Sequence, residues 1–312
     1  MYEVIILGGG PAGLTAAVYV ARKKLNAMLI CKELGGQPTQ TSGIENYMGY
    51  QYIEGAELME KFEKQVSQFP LEQKTDTQVV SLSRIDGGFR VGTADNETYD
   101  AQTVIIATGA RPRELNAPGE QKLRGRGVTY CEICDGPLFA GQPVAVIGGG
   151  NSGVSAADDM LKIASHVYLA SKTGLTADPV LIDKVKDAKN ITILTEHDVV
   201  EITGDSRVDG IVLKNNKTGK TNKLDVAGVL VEIGLMPNTE FARNLVGVNE
   251  VGEIVVDCLC HTNMPGIFAA GDVTNVPGKQ IVVAAGEGAK AALQAHNYLQ
   301  RQVKVLAGQE GG

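Results

Sequence analysis

Apolar residues gather into short runs that end in glycine, and they do so twice. Tyr2–Leu7 in "MYEVIILGGGPAG" is one run, and the start of "PVAVIGGGNSG", Pro143 to Gly153, is the other. Such runs, bounded by turn residues, predict strands. After the first turn the period lengthens. Pro11–Lys23 sets Ala12, Gly13, Ala16, Ala17 and Val20 on one side, which predicts a helix whose small residues let it press against a sheet. Asn26–Cys31 and "HVYLAS" (His166–Ser171) predict the strands that follow each helix, and Gly55–Phe69 is a polar, amphipathic segment. Alternating runs such as "GGFRVGT" and "NETYDAQ", and later "VVEITGDSRVDGIVLKNNKTGKTNKLDVAG", predict β-meanders. They close in "TVIIATGARP" and "VLVEIGLMPN". The architecture is therefore duplicated: βαβ, meander, strand ending near a glycine. Asn249–Gln300 adds a strand, "IFAAGD", and one long helix without a third glycine turn, so it is expected to return and complete the first domain. The polar end, "AGQEGG", predicts fraying.

Length and charge narrow the picture. A chain of 312 residues is too long for one ordinary core, and two domains follow. A net charge of −7 with no basic run argues against nucleic acid or an anionic membrane as partner. No apolar run reaches spanning or secretory length, which predicts a cytoplasmic protein with reduced thiols. Five cysteines in such a chain suggest redox chemistry, metal or packing rather than a stapling framework.

Gly8-Gly9-Gly10-Pro11-Ala12-Gly13 and Gly148-Gly149-Gly150-Asn151-Ser152-Gly153 both match G-x-G-x-x-G between a strand and a helix. Gly8 and Gly148 permit the tight turn, Gly10 and Gly150 let backbone approach a pyrophosphate, and Gly13 and Gly153 allow close helix–strand packing. The helix N-termini then offer N–H donors to the phosphates. Two dinucleotides in one chain imply electron transfer between them. The fold expected is α/β, with two Rossmann-like dinucleotide-binding domains of three-layer ββα type, residues 1–114 plus 241–312 and residues 117–239. A ribose-binding acid belongs about 20 residues past each turn. Glu33 fits that place in the first copy, with a solvated turn charge as the alternative; the second ends in Ser171-Lys172-Thr173 and has none.

"TYCEICDGPLFAG" carries Cys131 and Cys134 beside Asp135. Cys258 and Cys260, with His261 adjacent, would be needed to complete a metal site, but their strand spacing is a poor tetrahedral chelate and reads as packing on a strand. No metal is expected. A Cys-x-x-Cys with an acid alongside, in a chain holding two redox nucleotides, reads as a disulfide/dithiol centre. Asp135 is the candidate proton carrier for the leaving thiolate, on adjacency alone. His166, His197, His261 and His296 are scattered and read as surface or packing residues.

These segments, with "GGQPTQT", "IENYMG", "GLMPNT", "TNMPGIFAAGDVT" and "KQIVVAAGEGAKAA", resemble the low-molecular-weight thioredoxin reductases and, as closely, the C-terminal flavoprotein part of the alkyl hydroperoxide reductase large subunit. The resemblance implies FAD at the first turn, making the discontinuous domain the FAD domain, and NAD(P)H at the second. It adds Gly36, Gln37, Asn46, Thr108, Gly109, Gly271, Asp272, Gln280 and Ile281 to the flavin-binding residues. It also implies electron flow from flavin to Cys131–Cys134, a domain rotation, a homodimer, and thioredoxin or a thioredoxin-like protein as acceptor. Three departures stand out. The His-Arg-Arg run of NADPH users is Ser171-Lys172-Thr173 here and their further arginine aligns near Ala177, so NADPH is disfavoured. The glutamate of NADH users near Ser171 is missing, which leaves ferredoxin or another donor in play. The chain starts without the thioredoxin-like extension of the large hydroperoxide reductase component, so a free-standing partner is expected. Running the centre backwards as a dithiol oxidase, or a flavin-binding protein with a decayed nucleotide site, are the competing readings.

Overall fold

The computed structural model describes residues 1–40, 44 and 46–309. In chain order the described elements begin β1 (Tyr2–Gly9), α1 (Pro11–Arg22), β2 (Ala27–Leu34), α2 (Gly55–Val66), β3 (Glu72–Lys74), β4 (Val79–Ile85), β5 (Gly88–Thr93), β6 (Thr98–Ile106) and β7 (Ala110–Pro112). They continue with α3 (Glu120–Leu123), β8 (Val128–Thr129), α4 (Glu132–Asp135), β9 (Pro143–Ile147), α5 (Asn151–Leu161), β10 (His166–Ser171), α6 (Pro179–Val185) and β11 (Ile191–Thr195). Last come β12 (His197–Gly204), β13 (Val208–Asn215), β14 (Thr221–Leu224), β15 (Gly228–Val231), β16 (Leu235–Pro237), β17 (Ile267–Ala269) and α7 (Ile281–Gln309). The predicted fraying at the C-terminus meets helix as far as Gln309; residues 310–312 of that expectation lie outside the described residues.

The chain divides into two compact units. One is built from Met1–Thr39, Tyr47–Arg111 and the segment from Met236 onward; the other centres on Pro112–Leu235. In the first, the sheet runs β3-β2-β1-β6-β5-β4, with β17 also on β6. β1 pairs in parallel with β2 (Ile5 opposite Met28) and with β6 (Ile5 opposite Val104), whereas β4 and β5 form the antiparallel meander. Alternate residues of β1 serve different cores. Val4 and Ile6 pack with α1 and α7, while Ile5 and Leu7 join Phe89, Val91 and Ile254 on the other face. This is why the run shows no polar alternation. β17 beside β6 is the return of the C-terminal segment that the missing third turn implied.

The second unit repeats the scheme with a parallel sheet, β11-β10-β9-β15-β8, and an antiparallel one, β12-β13-β14. Val144 and Val146 of β9 face α5, and Ala145 and Ile147 face the core that includes Ile211 and Leu213 of β13. Both units are thus the α/β, Rossmann-like arrangement expected.

Helix α7 lies against α1 through small residues, Ala12, Ala16 and Ala17 facing Ala284, Ala291, Ala292 and Ala295 in one buried cluster. Gly288 is the closest point: a Cβ there would fall 2.0 Å from the carbonyl oxygen of Ala12, while one at Gly286 would meet nothing within 4 Å. Gly288→Ala is therefore expected to destabilise the protein by about 3 kcal/mol. Gly286→Ala, removing backbone freedom from an open helical position, should stabilise it by up to about 1 kcal/mol. Urea unfolding of the two variants checks this, and equal effects would refute the packing argument.

Candidate functional site

In the first unit, β1 delivers the chain into the turn and Pro11 opens α1 at a position where its missing N–H costs nothing. A Cβ on Gly13 would sit 1.8 Å from the carbonyl oxygen of Gly8, so only glycine lets α1 start this close to its strand. Over Gly10 there is open space, as a backbone that receives a ligand requires. Gly36 lies against Gly10, and Gly271 approaches both Ala12 and Ala284. The Gly271 N–H donates to Oε2 of the buried Glu287 at 2.7 Å, and burial pushes the carboxyls of Glu287 and Asp272 up from their usual range. Thr108 donates to the Asn238 carbonyl at 2.7 Å and Asn238 Nδ2 donates back to Thr108 at 2.9 Å, fixing the backbone that leads through Gly109. Gln37 Nε2 reaches the Ala110 carbonyl at 2.6 Å, and the Gln280 carbonyl accepts the Ala284 N–H in the first turn of α7, which Ile281 opens. Glu33 is exposed beside Lys32, 3.7 Å away. Asn46 is exposed, and parts of the "GGQPTQT" and "IENYMG" motifs, Thr41 and Glu45, lie outside the described residues.

In the second unit Gly148 has φ +150°, and a Cβ there would lie 2.2 Å from the Glu232 carbonyl oxygen; one at Gly153 would lie 2.1 Å from that of Gly148. Asn151 and Asp178 clamp one another, Nδ2 to Oδ2 at 3.1 Å and the Asp178 N–H to Oδ1 at 2.8 Å. Ser152 is exposed on the same turn of α5. At the end of β10, Ser171 is buried against Gly149, and Lys172 pairs with Asp198 at 3.5 Å. No carboxylate takes the ribose-reading place there.

Cys131 and Cys134 are joined as a disulfide across α4, with Cys131 as its N-cap. Asp135 is buried and accepts a hydrogen bond from Thr129 Oγ1 at 2.5 Å, while the Cys131 N–H donates to the same oxygen at 3.2 Å. Ile133 and Leu138 are exposed on either side.

Sequence reasoning missed Glu232. β8 runs parallel to β15 with Thr129 opposite Leu230, so both strands run out at one end of the sheet. Glu232 stands there within reach of the charge of Glu132, one of the two residues between the cysteines. Glu232 Oε1 is buried without a partner. Burial first, and the charge of Glu132 second, push the Glu232 carboxyl up to about 9. Nothing in the motifs signals this approach; only the strand register does.

One expectation needs correcting. Cys258 and Cys260 do not share a strand face. Asp257 Oδ1 accepts the N–H groups of Leu259 and His261, each at 2.9 Å, and closes a turn in which Cys260 has φ +65°. Cys260 is buried, its thiol 3.8 Å from the Glu287 carbonyl, and Cys258 is exposed. Among the described residues no group of three or more His, Cys, Asp and Glu side chains could hold a metal.

Residues 2–288 match the pyridine nucleotide-disulphide oxidoreductase family. The chain belongs to that family. It is 43% identical over 301 residues to the F component of alkyl hydroperoxide reductase from Staphylococcus aureus, covering 96% of this chain and 59% of that protein. The corresponding Escherichia coli protein is 44% identical over 306 residues, with 96% and 58% covered. The chain thus spans less than two thirds of these relatives. Among solved structures, thioredoxin reductase from Streptococcus pyogenes superposes with a TM-score of 0.91 at 36% identity, covering 96% of this chain and 99% of that one. Thioredoxin reductase from Giardia duodenalis gives 0.89 at 34%, with the same coverage.

FAD is the cofactor of this oxidoreductase family, and NAD(P)H its usual partner. The first turn fits FAD: Gly10 is open, and the half-buried Asp272 offers a polar group for a ligand hydroxyl. The second turn fits a pyrophosphate at Gly150, where the nearest atom to a Cβ would be Thr176 Oγ1 at 3.9 Å, but lacks the acid that would hold a ribose. Among the described residues no helix is long and apolar enough to cross a membrane.

The Glu232 shift carries a stability prediction. A carboxyl whose folded pKa is about 9 against an ordinary 4.5 binds its proton more tightly when folded. Its contribution is full at acid pH and is lost as the pH climbs toward that upper value. Glu232→Gln should therefore gain in melting temperature relative to wild type on going from about pH 5 to about pH 9. A gap that stays constant across that range would show that Glu232 ionises as a free carboxyl.

Proposed function

We propose that this chain is a flavin-dependent disulfide reductase that passes electron pairs through Cys131–Cys134 to thioredoxin or a thioredoxin-like protein. The observation supporting this most directly is the disulfide on α4, carried by the same compact unit as the Gly148–Gly153 turn. When bound, FAD would supply a carrier that exchanges two electrons with either a dinucleotide or a disulfide. Gly8, Gly10, Pro11, Ala12, Gly13, Gly36, Gln37, Asn46, Thr108, Gly109, Gly271, Asp272, Gln280 and Ile281 are the residues assigned to hold it, with Glu33 at its ribose. Gly148, Gly150, Asn151, Ser152 and Gly153 are assigned to a nicotinamide donor. A second donor class, such as a ferredoxin, is supported by the buried Ser171 and the paired Lys172 where a ribose or phosphate reader belongs.

Chemistry at the thiols follows from their spacing. Opening the disulfide gives two thiols three positions apart, one to attack a partner's disulfide and the second to close on the first and expel the product. Asp135 is assigned to hold or deliver the proton of the leaving thiolate; its hydrogen bond from Thr129 orients the carboxyl. Exposed Ile133 and Leu138 offer an apolar footing to a partner. A homodimer is the assembly the resemblance favours.

Cys131→Ser and Cys134→Ser should each lower reduction of a thioredoxin-like protein by more than about a hundredfold while the purified protein stays yellow. Asp135→Asn should lower it by about a hundredfold and change the pH profile. The assay is steady-state turnover with NADPH, NADH and a reduced ferredoxin supplied in turn. Turnover untouched by either serine, or a colourless protein, defeats this reading.

A further inference from the structure

Helix α7 meets α1 through alanine and glycine, but it also buries a carboxyl there. Glu287 is 5% exposed and stands directly before Gly288, whose missing Cβ lets α7 touch the carbonyl of Ala12. An acid in such a place costs stability unless it is hydrogen-bonded. Burial pushes its carboxyl up, and the Gly271 N–H with the charges of Lys290 and Lys279 offsets this only in part. The thiol chemistry has no use for this group. Its Oε2 accepts the buried N–H of Gly271 at 2.7 Å, from 16 positions away in the chain. Gly271 follows directly on Ala270, whose N–H donates to the Ile106 carbonyl at 2.9 Å. The chain therefore leaves the sheet at the carboxyl end of the parallel strands β6 and β17, and β1 reaches the same end in Gly8 and Gly9. That end is where open α/β sheets bind their ligands. Gly271 turns there with φ +77°, and a Cβ on it would lie 3.0 Å from that of Ala12 and 3.4 Å from that of Ala284.

Other partners fix the rest of this turn. The Gly271 carbonyl accepts the Thr274 N–H at 3.0 Å and Thr274 Oγ1 at 2.8 Å. The Val273 carbonyl accepts the Ile254 N–H at 2.9 Å. Lys279, paired with Glu253 at 3.0 Å, donates to the Thr274 carbonyl. At the end of the turn that lies against α1, the Gly271 N–H is held by Glu287. Asp272 comes next in the chain. Among the described residues no group donates a hydrogen bond to its carboxyl, which burial pushes up from its usual range. A polar group left unpaired inside a fixed frame is one kept for a ligand. We propose that Glu287 is a positioning residue for the flavin nucleotide: by holding the Gly271 N–H it fixes the turn that presents Asp272 to a cofactor hydroxyl beside the N-terminus of α1. No bond of the cofactor forms or breaks at Glu287; it acts through Asp272. This rests on the assignment of FAD to the first turn and goes beyond it by naming what holds one of the cofactor's partners in place.

Two substitutions of similar size separate this role from packing. Glutamine at position 287 keeps an acceptor for the Gly271 N–H, and leucine does not. The FAD-loaded protein is diluted, and flavin set free is followed by its fluorescence to give a dissociation constant. Glu287→Leu should weaken FAD binding about tenfold or more, because a buried N–H loses its acceptor and Asp272 loses its fixed place. Glu287→Gln should stay within about threefold of wild type. Asp272→Ala should weaken binding by about tenfold, and adding Glu287→Leu to it should weaken it by no more than about twofold further, since residues that act through one contact do not add. A carboxyl that merely packs α7 would cost the same factor with Asp272 present or removed. Wild-type affinity in Glu287→Leu, a glutamine variant as weak as the leucine one, or two losses that multiply in the double variant each overturn the proposal. Should Glu287→Leu not fold, Glu287→Ala, which also lacks the acceptor, carries the same comparisons. The two ideas fail differently. A wild-type protein that takes up no FAD would sink the cofactor assignment and Glu287 with it. A yellow wild type whose Glu287→Leu variant holds FAD equally well would sink the role of Glu287 alone.

Discussion

Everything in this chain depends on a contact in which there is no room for a side chain. At the start of α1 and again at α5, a helix begins so close to its strand that the place of a Cβ on Gly13 or Gly153 falls about on the carbonyl oxygen of the first glycine of the turn, 1.8 and 2.1 Å away. That proximity aims the first free N–H groups of each helix into the crevice at the strand ends, where an anion is stabilised by both hydrogen bonds and the helix dipole. Move either helix outward by the width of a methyl group and the cradle opens too wide. The parallel strands, the two-sided burial of β1 and β9 and the alanine face of α1 are what hold the helices at that distance.

Much of this was legible in the amino-acid order because it is local. A strand buried on both faces shows as an unbroken apolar run, a close helix as a face of alanines, a turn of positive φ as glycine. The return of β17 and α7 to the first unit was legible by elimination, from a segment with no turn of its own. Contacts set by register were not legible. Glu232 lies 100 positions from Glu132 in the chain, and the approach of the two follows only once Thr129 is known to stand opposite Leu230. The Cys258–Cys260 turn was misread for a related reason. Alternate spacing mimics a strand, while the residue that closes the turn, Asp257, acts through its side chain.

The two copies of the βαβ unit also show how one scaffold carries different side chains around the same glycine turn. In the first, the groups near the turn are small or buried and acidic, with Gly271 beside Ala12 and with Glu287 receiving the Gly271 N–H. In the second, the same end of the sheet carries the disulfide helix on one flank and the Asn151–Asp178 clamp on the other. The unit's extra strand, β8, is only two residues long, yet it is what brings α4 to the sheet end.

The edge of the second turn where a ribose would be read is already committed to the protein itself. Ser171 is packed against Gly149, so tightly that a Cβ on that glycine would lie 2.3 Å from the serine oxygen. A carboxylate in place of Ser171 would have to displace that packing or turn outward, and outward it would meet Lys172, which is already paired with Asp198. Selectivity between nucleotides that differ only at the ribose needs a polar group left unsatisfied by the wrong one. Neither Ser171 nor Lys172 is held in reserve as such a group. The backbone and the helix N-terminus read phosphate, and neither distinguishes one ribose from another.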